Sequence, residues 1–216
     1  MQSRKLGWQE MQNPKFHLTQ SLLSDWQYSF VMEDGYERFV KSLNRVPKKP
    51  TEKMLNGVAF EGCVNSTLNG AFIPEDHKWY KPVMELAEYL HGSQQQVALK
   101  RDIIVEGVCF ELFGVLDFLR AGVIYDTKFS DSYRLNKYLH SPQHPMYFYL
   151  VPEARRFEYL SCDGKFIYKE IYYPEDTEPI ELTIRQFMRY LEKHNLIETF
   201  TSKWNLKTYY ESKKGK

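Results

Sequence analysis

The chain has only three cysteines in 216 residues, Cys63, Cys109 and Cys162, with no Cys-x-x-Cys pair among them. Their odd number and wide spacing exclude a disulfide framework, a zinc ribbon and an iron–sulfur cluster. Long apolar runs are also missing. No stretch approaches the roughly 18–20 residues that a membrane span needs, and the polar start Met1-Gln-Ser-Arg-Lys is not followed by the apolar core of a signal peptide. The expectation is a soluble, intracellular protein with no membrane partner. Nor is there an excess of one charge: 29 Lys and Arg stand against 28 Asp and Glu, a net +1. Affinity for nucleic acid would therefore have to come from local clustering of cations. The six histidines form no His-Glu-x-x-His pair. There is no Gly-x-Ser-x-Gly elbow and no glycine loop ending in Lys-Ser/Thr, which removes the common zinc hydrolase, serine hydrolase and nucleotide-cradling schemes.

Hydrophobic and aromatic residues are plentiful, at 43% and 16%. They exclude a disordered chain and predict one tightly packed α/β domain over 1–216. Its core is expected at about 52–175, with an N-terminal helical appendage at 1–50 and a C-terminal helix and basic tail at 176–216. Periodicity predicts a helix over 18–30, a loop from Asn44 to Pro50, and a helix capped by Thr51 that runs to about Gly70. Met54, Val58, Glu61, Asn65 and Leu68 fall on one stripe of that helix, which sets the carboxylate of Glu61 within a largely apolar face. A helix over 76–91 precedes strands at about 96–105, 107–119 and 122–129, an antiparallel meander. Helices are then expected over 132–139 and 143–151, a hairpin turning at Asp163-Gly164, and an amphipathic helix over 180–195. The tail from Thr201, with Lys203, Trp204, Lys207, Tyr209, Tyr210, Lys213, Lys214 and Lys216, reads as a solvated terminus.

The chemistry concentrates at residues 114–128, Gly-Val-Leu-Asp-Phe-Leu-Arg-Ala-Gly-Val-Ile-Tyr-Asp-Thr-Lys. In a strand Asp126 and Lys128 share one face. A turn at Ala121-Gly122 pairs Arg120 with Val123 and brings Asp117 opposite Asp126. An isolated Asp-x-Lys is ordinary surface charge, but Val115, Leu116, Phe118, Val123 and Ile124 make both strands apolar apart from the acids, and acids in such a run need a partner or a purpose. Two opposed carboxylates repel unless a cation lies between them. Hard oxygen donors of this kind select Mg²⁺ or Mn²⁺ over zinc.

Taken in order, Gly57-x-x-x-Glu61, Gly114-x-x-Asp117, Asp126-Thr127-Lys128 and Gln143-x-x-x-Tyr147 resemble the motif series of the PD-(D/E)XK nuclease superfamily. The likeness is to its RecB-like, Cas4-like branch, which also includes phage-type exonucleases such as exonuclease VIII, and it spans about 52–151. Many members of that branch carry His where this chain has Glu61. The four cysteines of the iron–sulfur members are missing, so the resemblance is to members without a cluster. It implies a restriction-endonuclease-like core, a central mixed sheet with an antiparallel meander flanked by helices. It also implies that Asp117, Asp126 and the Thr127 carbonyl bind Mg²⁺ or Mn²⁺ with support from Glu61, that Lys128 orients and polarises the attacking water, and that Gln143 and Tyr147 contact substrate.

The expected activity is a divalent-metal-dependent deoxyribonuclease acting on DNA, an exonuclease of recombination, repair or phage replication, in the cytoplasm of a bacterial or phage-infected cell. A homo-oligomer and a recombination partner protein are compatible with that setting. A structure-selective or single-strand endonuclease on the same site is the alternative, and a catalytically silent nucleic-acid-binding protein of the same fold is the second. Arg134 and Lys137, with Lys100, Arg101, Arg120 and His140, are candidates to line a phosphate path, and Tyr133 or Tyr138 to stack on an unpaired base.

Overall fold

The molecule is described by a computed structural model over residues 7–8, 15–130 and 132–207. Lysines 213, 214 and 216 and tyrosines 209 and 210 of the expected tail lie outside the described residues. A mixed six-stranded sheet forms the centre, with helices on both faces. In chain order the elements are β1 (Lys15–Thr19), α1 (Gln20–Tyr28), α2 (Gly35–Leu43), α3 (Glu52–Leu68), α4 (Tyr80–Leu90), β2 (Gln94–Val105), β3 (Val108–Arg120), β4 (Val123–Phe129), α5 (Gln143–Leu150), β5 (Arg156–Cys162), β6 (Ile167–Tyr172), α6 (Ile180–Lys193) and α7 (Ile197–Trp204).

Pairing in the sheet runs β1-β3-β4-β5-β6, with β2 along the other edge of β3. The meander β2-β3-β4 is antiparallel, whereas β1 joins β3, and β5 joins β4, in parallel. Segment 1–50, expected as a helical appendage, therefore contributes a strand to the central sheet. Its Phe16 and Leu18 are buried, and the helices α1 and α2 that follow pack into the core cluster that contains them. A five-residue strand with remote parallel partners has no local signature, which is why the sequence shows only the helix that follows it.

The two sheet faces carry two apolar clusters. Leu22, Trp26, Phe39, Met146, Ile184, Phe187 and Phe200 cover one face. Phe60, Val64, Trp79, Val83, Leu86 and Leu90 cover the other. Strand alternation assigns the sheet residues: Ile124, Phe157 and Tyr159 belong to the first cluster, and Val123, Tyr125, Leu160 and Cys162 to the second.

Several expectations are corrected. Helix α3 is capped as expected, with the Thr51 hydroxyl accepting from Met54 N. Its buried residues, however, are Phe60 and Val64, while Met54, Leu55 and Val58 are exposed. The contact stripe is thus rotated, and Glu61 sits half-buried at its edge rather than within it. The helix expected from 76 begins at Tyr80. Residues 132–139 are not helical, because Asn136 takes a left-handed φ of 60° and the Glu170 carboxylate on β6 accepts from the backbone N–H of Lys137 and Tyr138. Beyond Thr201 the chain is helical through Trp204, which is buried and donates its indole N–H to Leu43 O at 2.8 Å.

Candidate metal centre

The hairpin β3-β4 turns through Ala121 and Gly122, both with positive φ, and pairs Arg120 with Val123, Leu119 with Ile124 and Phe118 with Tyr125. One step further Asp117 and Asp126 come side by side, and here the strands part. Strand β1 pairs with β3 only as far as Phe113. Residues 114–117 thus lack a strand on that edge, while β4 stays attached to β5 through Phe129. A wedge opens in the sheet.

The wedge coincides with a break in the alternation of β3. Leu116 packs in the first cluster and Phe118 in the second, although residues two apart in a regular strand share a face. Gln96, between the β2 residues that pair with Leu116 and Phe118, has a left-handed φ of 51°. The Asp117 carboxylate consequently turns into the gap, where its Oδ2 accepts from Thr127 N at 2.9 Å and from Thr127 Oγ1 at 3.3 Å. The sequence expectation of two directly opposed acids is thereby refined: Asp117 grips the backbone next to Asp126.

Asp126 is almost completely buried. Its Oδ2 lies 2.6 Å from Lys128 Nζ, and its Oδ1 accepts from the side-chain amide of Gln143, the first residue of α5. Tyr147, one turn on, donates to Val115 O at 2.9 Å, inside the stretch of β3 that no strand pairs on that edge. Helix α5 thus closes the wedge with the two polar residues of the Gln-x-x-x-Tyr spacing. Close approach is possible because residue 114 is glycine: a Cβ there would stand 2.5 Å from Tyr147 Cε1 and 3.0 Å from Leu150 Cδ1. Replacing Gly114 by Ala should destabilise the fold by about 1–3 kcal/mol through overpacking, read from urea unfolding. The double variant with Tyr147→Ala should recover part of the loss. A Gly114→Ala protein as stable as the parent would show that α5 does not lean on the strand.

Electrostatics mark the same place. Burial, aided by the charge of Asp126, pushes Asp117 up to about 8, against the opposing pull of Lys128 and the Thr127 N–H; Glu61 adds a smaller push upward. Burial by itself would lower the pKa of Lys128, but the negative charges of Asp126 and Asp117 more than offset it and hold the ammonium protonated. Burial with those same two charges lifts the Tyr147 hydroxyl to about 12, so it remains a donor. On α5 itself, His144 is held neutral by burial, its pKa lowered to about 4, with Nδ1 3.2 Å from Tyr159 Oη and its ring stacked on Tyr172.

The donors present fit a hard divalent cation. Asp117 Oδ1 accepts no hydrogen bond among the described residues, and the carboxyl is one that a nearby cation would ionise. In an extended strand a residue's N–H and C=O point to the same edge, so the Thr127 carbonyl faces the wedge beside Asp117. Oxygen donors of this kind suit Mg²⁺ or Mn²⁺. Glu61 stands further off: its carboxylate accepts from Gln96 Nε2 at 2.9 Å, and among the described residues no three acidic, His or Cys side chains are gathered closely enough to hold an ion by themselves. Gln96 escaped the sequence reading, since nothing in the run Gln94-Gln95-Gln96 distinguishes the amide that meets Glu61.

The other candidates divide. Lys137 Nζ lies 2.6 Å from Ser130 Oγ, two residues beyond Lys128, on the rim of the site. Arg134 is exposed on the same loop. Tyr138 stacks on Tyr159 at 4.3 Å between ring centres, and its hydroxyl meets Ser161 Oγ, beside Lys128 in the β4-β5 register. Tyr133 stacks on Tyr168. The guanidinium groups of Arg101 and Arg120 donate to the carbonyls of Tyr149 and of Tyr89 and His91 respectively, which anchors both side chains.

An α/β architecture with a six-stranded mixed sheet between helices is therefore shown. No family model matches the chain, and no curated protein matches it. Among solved structures, the crystal structure of SSO0001 superposes with a TM-score of 0.52 over 85% of this chain and 80% of that chain, at 13% identity. That likeness concerns the fold alone. No helix among the described residues is long and apolar enough to cross a membrane.

Proposed function

We propose that this protein is a divalent-metal-dependent DNA nuclease of the restriction-endonuclease-like fold, cleaving phosphodiester bonds as an exonuclease of DNA recombination, repair or phage replication. One observation carries the reading. Asp117 and Asp126, drawn from two strands, meet at an opening in the sheet, with Asp117 accepting from Thr127 N and Asp126 held by both the Lys128 ammonium and the Gln143 amide.

Hydrolysis of a phosphodiester builds negative charge on the nonbridging oxygens and on the departing 3′ oxygen. When bound, Mg²⁺ or Mn²⁺ supplies positive charge to those oxygens and makes a water more acidic. Asp117, Asp126 and the Thr127 carbonyl would hold the ion, and Glu61 would assist from α3. Gln143 keeps the Asp126 carboxylate from rotating, which fixes the donor set before substrate arrives. Lys128 stays an ammonium in this setting, so its part is to orient the attacking water or the scissile phosphate by charge, not to remove a proton.

The direct test is incubation of the protein with end-labelled linear DNA and with covalently closed circles, in Mg²⁺ or Mn²⁺ and again in chelator. Metal-dependent loss of the linear DNA alone is the expected result. Nicked circles would move the assignment to an endonuclease on the same site, and binding without cleavage under every metal condition would leave a nucleic-acid-binding protein.

A further inference from the structure

A cavity of about 620 Å³ opens beside the loop that links β4 to α5. Its walls come from α1 and the turn after it (Trp26, Tyr28, Phe30), from α6 (Arg189, Tyr190, Lys193) and from the loop itself (Lys137, Tyr138, His140, Pro142). This volume lies within the about 300–1,000 Å³ of small-molecule sites. Two of the aromatic rings, Tyr28 and Phe30, are more than half exposed. Large rings held open to water beside a cavity provide flat surfaces for a planar ligand.

Charge narrows the ligand class. Lys137, Arg189 and Lys193 line the cavity together with His140, and among the described residues no acidic side chain lines it, although Arg189 also lies 3.6 Å from the Glu106 carboxylate. In a chain of net charge +1, that is a local excess of cations around an aromatic floor. Ser24, Gln27, Ser141 and Gln186 add hydrogen-bonding groups. Stacking rings, polar side chains and surrounding cations are the three requirements for holding an unpaired nucleotide: rings for the base, polar groups for its edges, cations for its phosphate.

The cavity also shares its wall with the metal centre. Pro142 lines the cavity, and Gln143, the next residue, holds Asp126. Tyr138 lines it while its hydroxyl meets Ser161 beside Lys128. Lys137 lines it and bonds Ser130, just past the end of β4. A strand end seated in the cavity would therefore lie one loop away from the site of hydrolysis.

We infer that this cavity binds an unpaired nucleotide of single-stranded DNA, base against Tyr28, Phe30 and Tyr190 and phosphate among Lys137, His140, Arg189 and Lys193, and thereby holds the substrate strand next to the metal centre. The inference rests on the nuclease reading for its biological role but not for its measurement. Binding of fluorescent single-stranded oligonucleotides and of blunt duplexes is measured by anisotropy in chelator, so that no cleavage occurs. Tyr190 packs against Trp26 and Phe39 in the core and is left intact; the variants are Tyr28→Ala and Lys193→Glu, both on the surface. The pair together should weaken single-strand binding at least tenfold, about 1.4 kcal/mol, with blunt-duplex binding within twofold of the parent and an unchanged melting temperature. Loss of stacking on a single base is enough to account for a change of that size. Equal weakening of both DNA forms, or of neither, overturns the proposal. So does a change in sedimentation with no change in strand binding, which would make the cavity a contact between copies of the chain. If the parent cleaves DNA and the cavity variants bind single strands as it does, the nuclease reading survives and this inference fails. If the parent never cleaves yet the variants lose single-strand binding, the inference stands and the nuclease reading fails.

Discussion

Lys128→Ala should lower metal-dependent DNA cleavage by about 100- to 1,000-fold, the usual loss when one preorganised stabiliser of transition-state charge is removed. The ammonium lies 2.6 Å from Asp126 and about a third of the side chain reaches solvent. It is therefore anchored at one end of the site while open to a substrate. Because the neighbouring acids hold it protonated, its contribution is a fixed positive charge. Deleting that charge makes the pair Asp117 and Asp126 a stronger cation site, not a weaker one, since one opposing cation has gone. Raising Mg²⁺ should accordingly fail to restore the rate. Full rescue by excess metal would show that Lys128 only tunes ion binding, and a rate within tenfold of the parent would remove it from the reaction. Lys128→Arg should recover little, because a planar guanidinium cannot reproduce a compact ammonium at an ion pair of this geometry.

The hairpin was legible because local rules govern it. Ala121-Gly122 set the turn, and the period of two then determined which residues of β4 share a face. The wedge beyond Phe118↔Tyr125 was not. It depends on where β1 stops alongside β3, on the left-handed φ of Gln96, and on a glycine at 114 that admits the Tyr147 ring. Each is a consequence of packing between segments distant in sequence. The same holds for Glu61: spacing assigned it to the buried stripe, but α3 meets the sheet through Phe60 and Val64, and that rotation is decided by the partner surface of Trp79, Val83 and Phe129. Loop 132–140 shows tertiary bonding overriding helical pattern, since Glu170 on β6 takes the N–H groups that a helix would use internally. Trp204 was read as part of a solvated tail because the chain there is rich in lysine. Its indole finds the carbonyl of Leu43, 161 residues away.

The Asp117→Asn variant should be more stable than the parent in chelator at pH 8, and the advantage should vanish near pH 4. Asn keeps the side-chain oxygen that accepts from Thr127 N, so the bond at 2.9 Å can persist. What changes is the proton balance. Burial and the charge of Asp126 raise Asp117 from an ordinary 3.8 to about 8. An acid whose folded pKa exceeds its unfolded one binds more protons when folded, so stability falls as pH rises between the two values. The penalty is absent below about 4 and complete above about 8. Each pH unit between them is worth about 1.4 kcal/mol, and even half of that interval amounts to about 3 kcal/mol. Mg²⁺ or Mn²⁺ should restore the parent's stability at pH 8, because a cation beside the acids removes the cost of their charge. It should do little for Asp117→Asn, which should also lose DNA cleavage. Melting temperatures across pH, with and without metal, test this. A variant destabilised equally at pH 4 and pH 8, with no difference in its response to metal, would make Asp117 a structural brace for the Thr127 backbone and leave the opening between β3 and β4 without a cation to hold.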